Sequence, residues 1–217
     1  MLANPEKQTE VIHYEKSPSG FSIMWREFRK DKLAMFSLFF LALILIAVYT
    51  TSFIMKQEDI VRVDLFAIYD PPSAEHWLGT DYGGRDIFGQ LIIGTRNSFT
   101  VGLAITLLST LIGLTMGLIA GYFGGVVDNI IMRFIDFMMI LPFLMIVIVF
   151  ISLVPTFNIT TFILIMTAFL WVGKARLIRS KVLMEKELDY VSASKTLGTP
   201  NWKIIFQQIL PNLSSII

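Results

Sequence analysis

The chain has 217 residues, of which 54% are hydrophobic and 16% charged, with a net charge of +1. Soluble domains carry about 25% charged residues, so this chain cannot clothe a water-facing surface of ordinary polarity. Eighteen Phe and eleven Met exclude disorder, and the absence of Cys removes any disulfide scaffold, thiolate metal site or Cys nucleophile. Near-neutral charge gives no basic excess to suggest a nucleic-acid partner. What remains is an all-α, polytopic helical membrane protein.

Charge-free runs locate the elements in chain order. Residues 1–32 are polar, and no small-residue cleavage site follows the next run, so this is not a signal peptide. Residues 33–55 form a first span, 23 residues without charge between Lys32 and Lys56. At about 1.5 Å per residue that run crosses a core of roughly 30 Å. A polar loop, 56–97, follows. The segment 98–173 holds three further spans, the first over 98–121. The next run, 137–173, has 37 residues, too many for one crossing. A turn at Pro155, Thr156, Phe157 and Asn158 divides it, predicting spans over 129–153 and 159–173. Pro142 should kink the first of these. The last segment, 174–217, is polar until the apparent start of a further span.

Lys and Arg set the orientation: six fall in 1–32, four in 56–97 (against seven acids), Arg133 stands alone, and seven fall in 174–217. The basic ends predict a cytoplasmic N-terminus and 174–217 segment, an external 56–97 loop and a cytoplasmic 122–128 connection. Four crossings demand the same arrangement.

Three features stand out within this frame. Ser109, Gly113, Gly117 and Gly121 recur every four residues, a stripe without bulk where another helix backbone can approach. Packing within the chain is the better reading; a subunit interface or pore-facing stripe is the sharper one. Arg133 and Asp136 lie three apart on one helix face at the membrane boundary, predicting a structural ion pair rather than a proton relay. The loop over 70–90 is rich in Pro and Gly and demands defined turns. Its Glu75, His76, Asp81 and Asp86 lack the spacing that orients metal ligands, so a structured turn against a neighbouring chain is the better reading.

The 174–211 stretch is the most informative. Residues 188–197 read as a short helix ended by Gly198, and Thr199 reads as the N-cap of a second helix with Pro200 at its first position. Trp202, Ile205, Phe206 and Ile209 then form one apolar stripe, with Lys203, Gln207 and Gln208 elsewhere. With no soluble core to receive it, the stripe is expected on the membrane surface or in a partner's groove.

These residues together resemble a known family. PPSAEHWLGTD (71–81) followed by Gly84-Arg85-Asp86, then Gly94-x-Arg96-x-Ser98, Val101-Gly102-Leu103 and AGYFGG (120–125), are similar to ABC-importer permeases. Arg133-x₂-Asp136, Leu141-Pro142, Asp189-Tyr190-Val191 and Ile209-Leu210-Pro211-Asn212 fit the same class, the second membrane subunit of oligopeptide and dipeptide importers (OppC/DppC type). The family's cytoplasmic motif, Glu-Ala-Ala-x₃-Gly-x₉-Ile-x-Leu-Pro, falls on Ser192, Ala193, Ser194, Gly198, Gln208, Leu210 and Pro211. Ser192, Ser194 and Gln208 depart from it. Such permeases continue through two spans beyond the Leu-Pro, so a truncated chain is expected.

The resemblance implies the type I importer permease fold in a bacterial inner membrane. It implies a second permease subunit, two cytoplasmic ATPases that bind ATP and Mg, an extracellular solute-binding protein and surrounding lipid. The ATPase-coupling residues would be Ser192, Ala193, Ser194, Gly198, Trp202, Leu210 and Pro211, moving as a rigid body so that the spans switch access. No tight peptide site in the membrane is implied, and the span assignment places no charged cluster there. The chain carries no G-x₄-G-K-[ST] phosphate cradle, so no ATPase activity and no cofactor of its own are expected. Rival readings are a non-transporting membrane scaffold, an intramembrane enzyme using Asp128 or Asp136, and a permease for another solute such as a nickel complex.

Overall fold

A computed structural model describes residues 20–55, 60–154 and 158–213. Its elements are α1 (Gly20–Lys30), α2 (Lys32–Ile54), α3 (Ile87–Phe123), α4 (Gly125–Ile140), α5 (Phe143–Leu153), α6 (Ile159–Glu185), α7 (Asp189–Thr196) and α8 (Asn201–Ile204). A π-helical stretch (Ile205–Ile209) then leads into α9 (Leu210–Leu213). Among the described residues there is no strand, only an isolated bridge between Thr80 and Asp86. The all-α expectation holds.

Three helices, α2, α3 and α6, are long and apolar enough to cross a membrane. Helices α4 and α5 are together long and apolar enough for one more, but they are bent by 82° at Leu141–Pro142, the form of a broken span or a re-entrant loop. The cause is local. Pro142 has no N–H to continue the ladder, and Leu141, as the residue before proline, is held extended at φ −69°, ψ 131°. The expected kink is therefore a full break between two helices.

The helix ends differ from the charge-based ones. Asp86 accepts the Gly89 amide at 2.7 Å and starts α3 eleven residues before Ser98. Arg96 does not end the span, because its Nη1 donates to Ser52 Oγ of α2 at 2.8 Å. The Tyr49 and Thr100 hydroxyls, 2.9 Å apart, hold the same two helices together. Helix α6 runs past Gly173 to Glu185 because Lys174, Arg176 and Arg179 all find partners on neighbouring helices. Of the predicted turn, residues 155–157 lie outside the described residues, as do 1–19 and 214–217 of the terminal segments; Asn158 caps α6 by accepting the Thr161 amide at 2.8 Å.

The bundle is organised on the seam between α3 and α6. A Cβ on Gly113 would meet the backbone and Cβ of residues 171–175, one on Gly117 the stretch 175–178, and one on Gly121 residues 179 and 182. Both helices therefore advance in the same direction. One apolar cluster, Ile135 with Trp171, Val172 and Ala175, seats α4 on α6. A second joins Leu118 and Tyr122 of α3, Ile178 and Val182 of α6, and Val191, Ile204, Ile205, Ile209 and Leu213 beyond.

Candidate functional site

The four small residues of α3 face α6, so the stripe serves packing within the chain. Ser109 is wholly buried. A Cβ on Gly117 would stand 2.7 Å from the Ala175 carbonyl, and one on Gly113 2.9 Å from Lys174 Cβ. Only glycine allows that approach. The closeness brings Lys174 Nζ within 2.7 Å of Ser109 Oγ and 2.9 Å of Thr110 Oγ1. A cation thus lies within the seam, where the sequence reading, ending the last span at Gly173, placed no charge.

The predicted Arg133–Asp136 pair is not formed. Asp136 is bonded to Arg176, and Asp128 at the start of α4 to Arg179. Ile135, packed on Trp171 and Ala175, turns the neighbouring carboxylate toward α6, while Arg133 lines a shallow cavity with Val126, Asn129 and Ile130. Two ion pairs from α4 therefore clasp one face of α6. Sequence reasoning missed them because it assigned Arg176 and Arg179 to a segment beyond the last span.

The 189–213 unit is built as a helix, a glycine turn and a second helical stretch. Gly198 has φ +76°. The Thr199 amide donates to the Ser194 carbonyl and the Gly198 amide to the Lys195 carbonyl, both at 3.0 Å, the bond pair of a Schellman ending. The N-cap of α8 is Pro200, one residue later than Thr199, since Lys203 and Ile204 both donate to the Pro200 carbonyl.

The apolar stripe also needs correction. Ile205 and Ile209 are buried in the second cluster, with Ile204 and Leu213, while Trp202 and Phe206 stay 57% and 59% exposed. The π stretch, with its wider turn, shifts the phase on which a single 3.6-residue stripe depends. Contrary to the expectation of no core, the bundle end supplies one through Leu118, Tyr122, Ile178 and Val182. Leu197, Trp202 and Phe206 remain as outward apolar side chains.

Polar bonds lock the same unit. Tyr122 donates its hydroxyl to Asn201 Oδ1 at 2.8 Å, and Lys195 Nζ stands 5.3 Å above the Tyr122 ring, so one residue of α3 holds both limbs of the turn. Gln208 Nε2 donates to Ser194 Oγ at 2.7 Å. Two of the departures from the family pattern thus meet each other. Ser192 and Ala193 are exposed, Leu210 packs against the second cluster, and Pro211 follows it in α9.

The loop over 60–86 is folded around Asp81. Its carboxylate accepts from the Gly83 and Arg85 amides at 2.8 and 3.0 Å, Gln90 Nε2 at 3.1 Å and the Arg85 guanidinium at 3.0 Å. Gly84, at φ +68°, passes so close to the Asp64 carbonyl that no Cβ fits. Burial opposes ionisation of Asp81, but these donors outweigh it and hold the carboxyl well below the usual carboxylate range. A lowered folded value means the stabilisation is complete above the ordinary Asp value of about 3.9 and is lost only as pH falls through the lower, folded one. The loop should accordingly keep its amide-exchange protection from neutral pH down to about pH 4. Asp81→Asn should raise exchange at Gly83 and Arg85 roughly tenfold at neutral pH; unchanged exchange would remove Asp81 from its central place.

Residues 113–217 match the family described as "Binding-protein-dependent transport system inner membrane component", and residues 19–72 match the "N-terminal TM domain of oligopeptide transport permease C". Over 192 residues the chain is 48% identical to the oligopeptide transport system permease protein OppC of Lactococcus lactis subsp. cremoris, covering 88% of this chain and 65% of that relative. It is 38% identical over 217 residues to the dipeptide transport system permease protein DppC of Bacillus subtilis, covering 100% of this chain and 67% of the relative. With the glutathione transport system permease protein GsiD of Pectobacterium atrosepticum the identity is 32% over 208 residues, 95% of this chain and 69% of the relative. The chain thus spans about two thirds of the length of these relatives.

Proposed function

Since the chain belongs to the OppC/DppC-like permeases of binding-protein-dependent transport systems, we propose that it is a membrane subunit of an ATP-driven importer of di- and oligopeptides. In this reading the 189–213 unit receives the motion of a cytoplasmic ATPase. A second permease completes the pathway, a second ATPase completes the motor, and an external binding protein delivers the peptide. The N-terminus and the 189–213 unit face the cytoplasm, the loop over 60–86 faces outward, and the membrane is the bacterial inner membrane.

The observation that carries the reading is the mounting of the 189–213 unit. Its inner side is tied to the ends of α3 and α6 by Tyr122 and the second apolar cluster, while Leu197, Trp202 and Phe206 point away from the chain. A push on the outward face therefore moves both helix ends together instead of bending the turn. Apolar anchors of this kind suit a groove on a partner. The ATPase supplies the free energy of nucleotide hydrolysis, and the permease converts closure into a change of access.

Single cysteines at Trp202 and Phe206 test this in the assembled complex. Each should crosslink to an ATPase subunit, and the yield should change with bound nucleotide. Labelling of either position by an impermeant reagent from outside intact cells would overturn the assignment.

A further inference from the structure

Lys174 lies deeper than a boundary lysine. Its Nζ donates to the Thr106 carbonyl at 3.3 Å as well as to Ser109 and Thr110. Thr106 stands near the middle of α3, 19 residues after Ile87 and 17 before Phe123. Ser109 gives its own proton to the Ile105 carbonyl at 2.6 Å, leaving its lone pairs to the lysine. All three protons of an ammonium group are thus used, and every acceptor is neutral. The nearby Arg176 and Arg179 have Asp136 and Asp128, whereas among the described residues no carboxylate bonds to Lys174. A charge at this depth is costly and marks a pathway more often than it serves packing.

An open groove of about 440 Å³ lies along the same helix and shares Thr106 with the contacts of this ammonium. It is lined by Ser98, Phe99, Gly102, Leu103 and Thr106. Phe99 and Leu103 are 40% and 59% exposed, and nothing lies within 4 Å of the place a Cβ would take on Gly102. Apolar walls with a cation bonded to one lining residue complement an apolar side chain that ends at a carboxylate.

We propose that Lys174 is a transient docking point for the free C-terminal carboxylate of a translocating peptide. The carboxylate takes the place of the longest contact, the one to the Thr106 carbonyl, and the C-terminal side chain lies in the groove against Phe99 and Leu103. The proposal rests on the peptide-permease reading. It adds a weak site within the membrane where the family resemblance implies no tight one.

The test uses the complete importer in proteoliposomes with two probes, a tripeptide ending in photoleucine and the same peptide as its C-terminal amide. Photolabelling is expressed per peptide imported. The free acid should label Phe99 and Leu103 roughly tenfold more than the amide. Lys174→Gln should abolish that difference and Lys174→Arg should keep it, whereas a merely structural lysine would leave the ratio unmoved. Equal labelling by acid and amide in the wild-type complex overturns the proposal, as does an unlabelled groove, the result expected if a neighbouring span covers it. The wild-type comparison decides even if Lys174→Gln fails to assemble. Vesicles that import neither peptide, despite active ATPases, would instead count against the permease reading itself.

Discussion

Gly117→Leu is expected to leave no folded bundle. The first atom of any side chain there would stand 2.7 Å from the Ala175 carbonyl and 2.8 Å from Ile178 Cβ. One of these neighbours is backbone, so no rotamer change can clear it. Even Gly117→Ala must move α3 away from α6, which costs about 1–3 kcal/mol for one added methyl group in a tight core. A leucine adds three more carbons to the same gap and separates the partners of Lys174 as well. The stability of a folded domain is only about 5–15 kcal/mol, so a disruption of that size removes the native packing. Unfolding titrations in detergent should show a lower midpoint for the alanine variant and no cooperative transition for the leucine variant. Gly94→Ala is the control, because no atom lies within 4 Å of the Cβ it would gain. A cooperative, wild-type transition for Gly117→Leu would refute the seam.

Gly198→Val should separate ATP hydrolysis from transport while leaving the spans inserted. The argument is conformational rather than steric, since a Cβ at residue 198 would meet nothing within 4 Å. The difficulty lies in φ +76°, a left-handed backbone that costs an ordinary residue roughly 1–2 kcal/mol and a β-branched one more. Valine would release the Thr199–Ser194 bond and with it the angle between α7 and α8. Tyr122 then could not hold Lys195 and Asn201 at once. Peptide imported per ATP hydrolysed should fall about tenfold, the equivalent of some 1.4 kcal/mol of misplaced coupling geometry. Gly198→Asn, tolerated in this conformation, should stay near wild type. Wild-type uptake by the valine variant would sink the assignment of 189–213 as the coupling unit.

What the sequence disclosed, and what it withheld, follows one physical division. Local signals were legible: the charge-free run of α2, the break at Pro142, the helix-ending Gly198 and the spacing of Ser109, Gly113, Gly117 and Gly121. Choices of partner were not. Charges served as span boundaries in the sequence reading, yet Arg96, Lys174, Arg176 and Arg179 all satisfy themselves across the bundle, so α3 begins earlier and α6 ends later than their charges suggest. The same non-local pairing took Asp136 from Arg133 and gave it to Arg176. Trp202 and Phe206 were read on the same face as Ile205 and Ile209 because a regular 3.6-residue winding was assumed. The π stretch over Ile205–Ile209 splits them, and nothing in the local composition announces it. Among the motif departures, Ser194 and Gln208 looked independent until the fold brought them to 2.7 Å.

The common direction of α3 and α6 has an electrostatic consequence. Antiparallel neighbours let their macrodipoles offset each other; these two reinforce, gathering about half a negative charge from each helix at one shared end. Lys186, the residue that caps α6, brings its Nζ within 3.8 Å of the place a Cβ would occupy on Gly124, the cap of α3. A single ammonium thus stands beside both carbonyl ends, where positive charge is favoured. Basic residues at this end, which in sequence only announce which side of the bilayer they occupy, are also favourably placed against the negative ends of two like-directed helices.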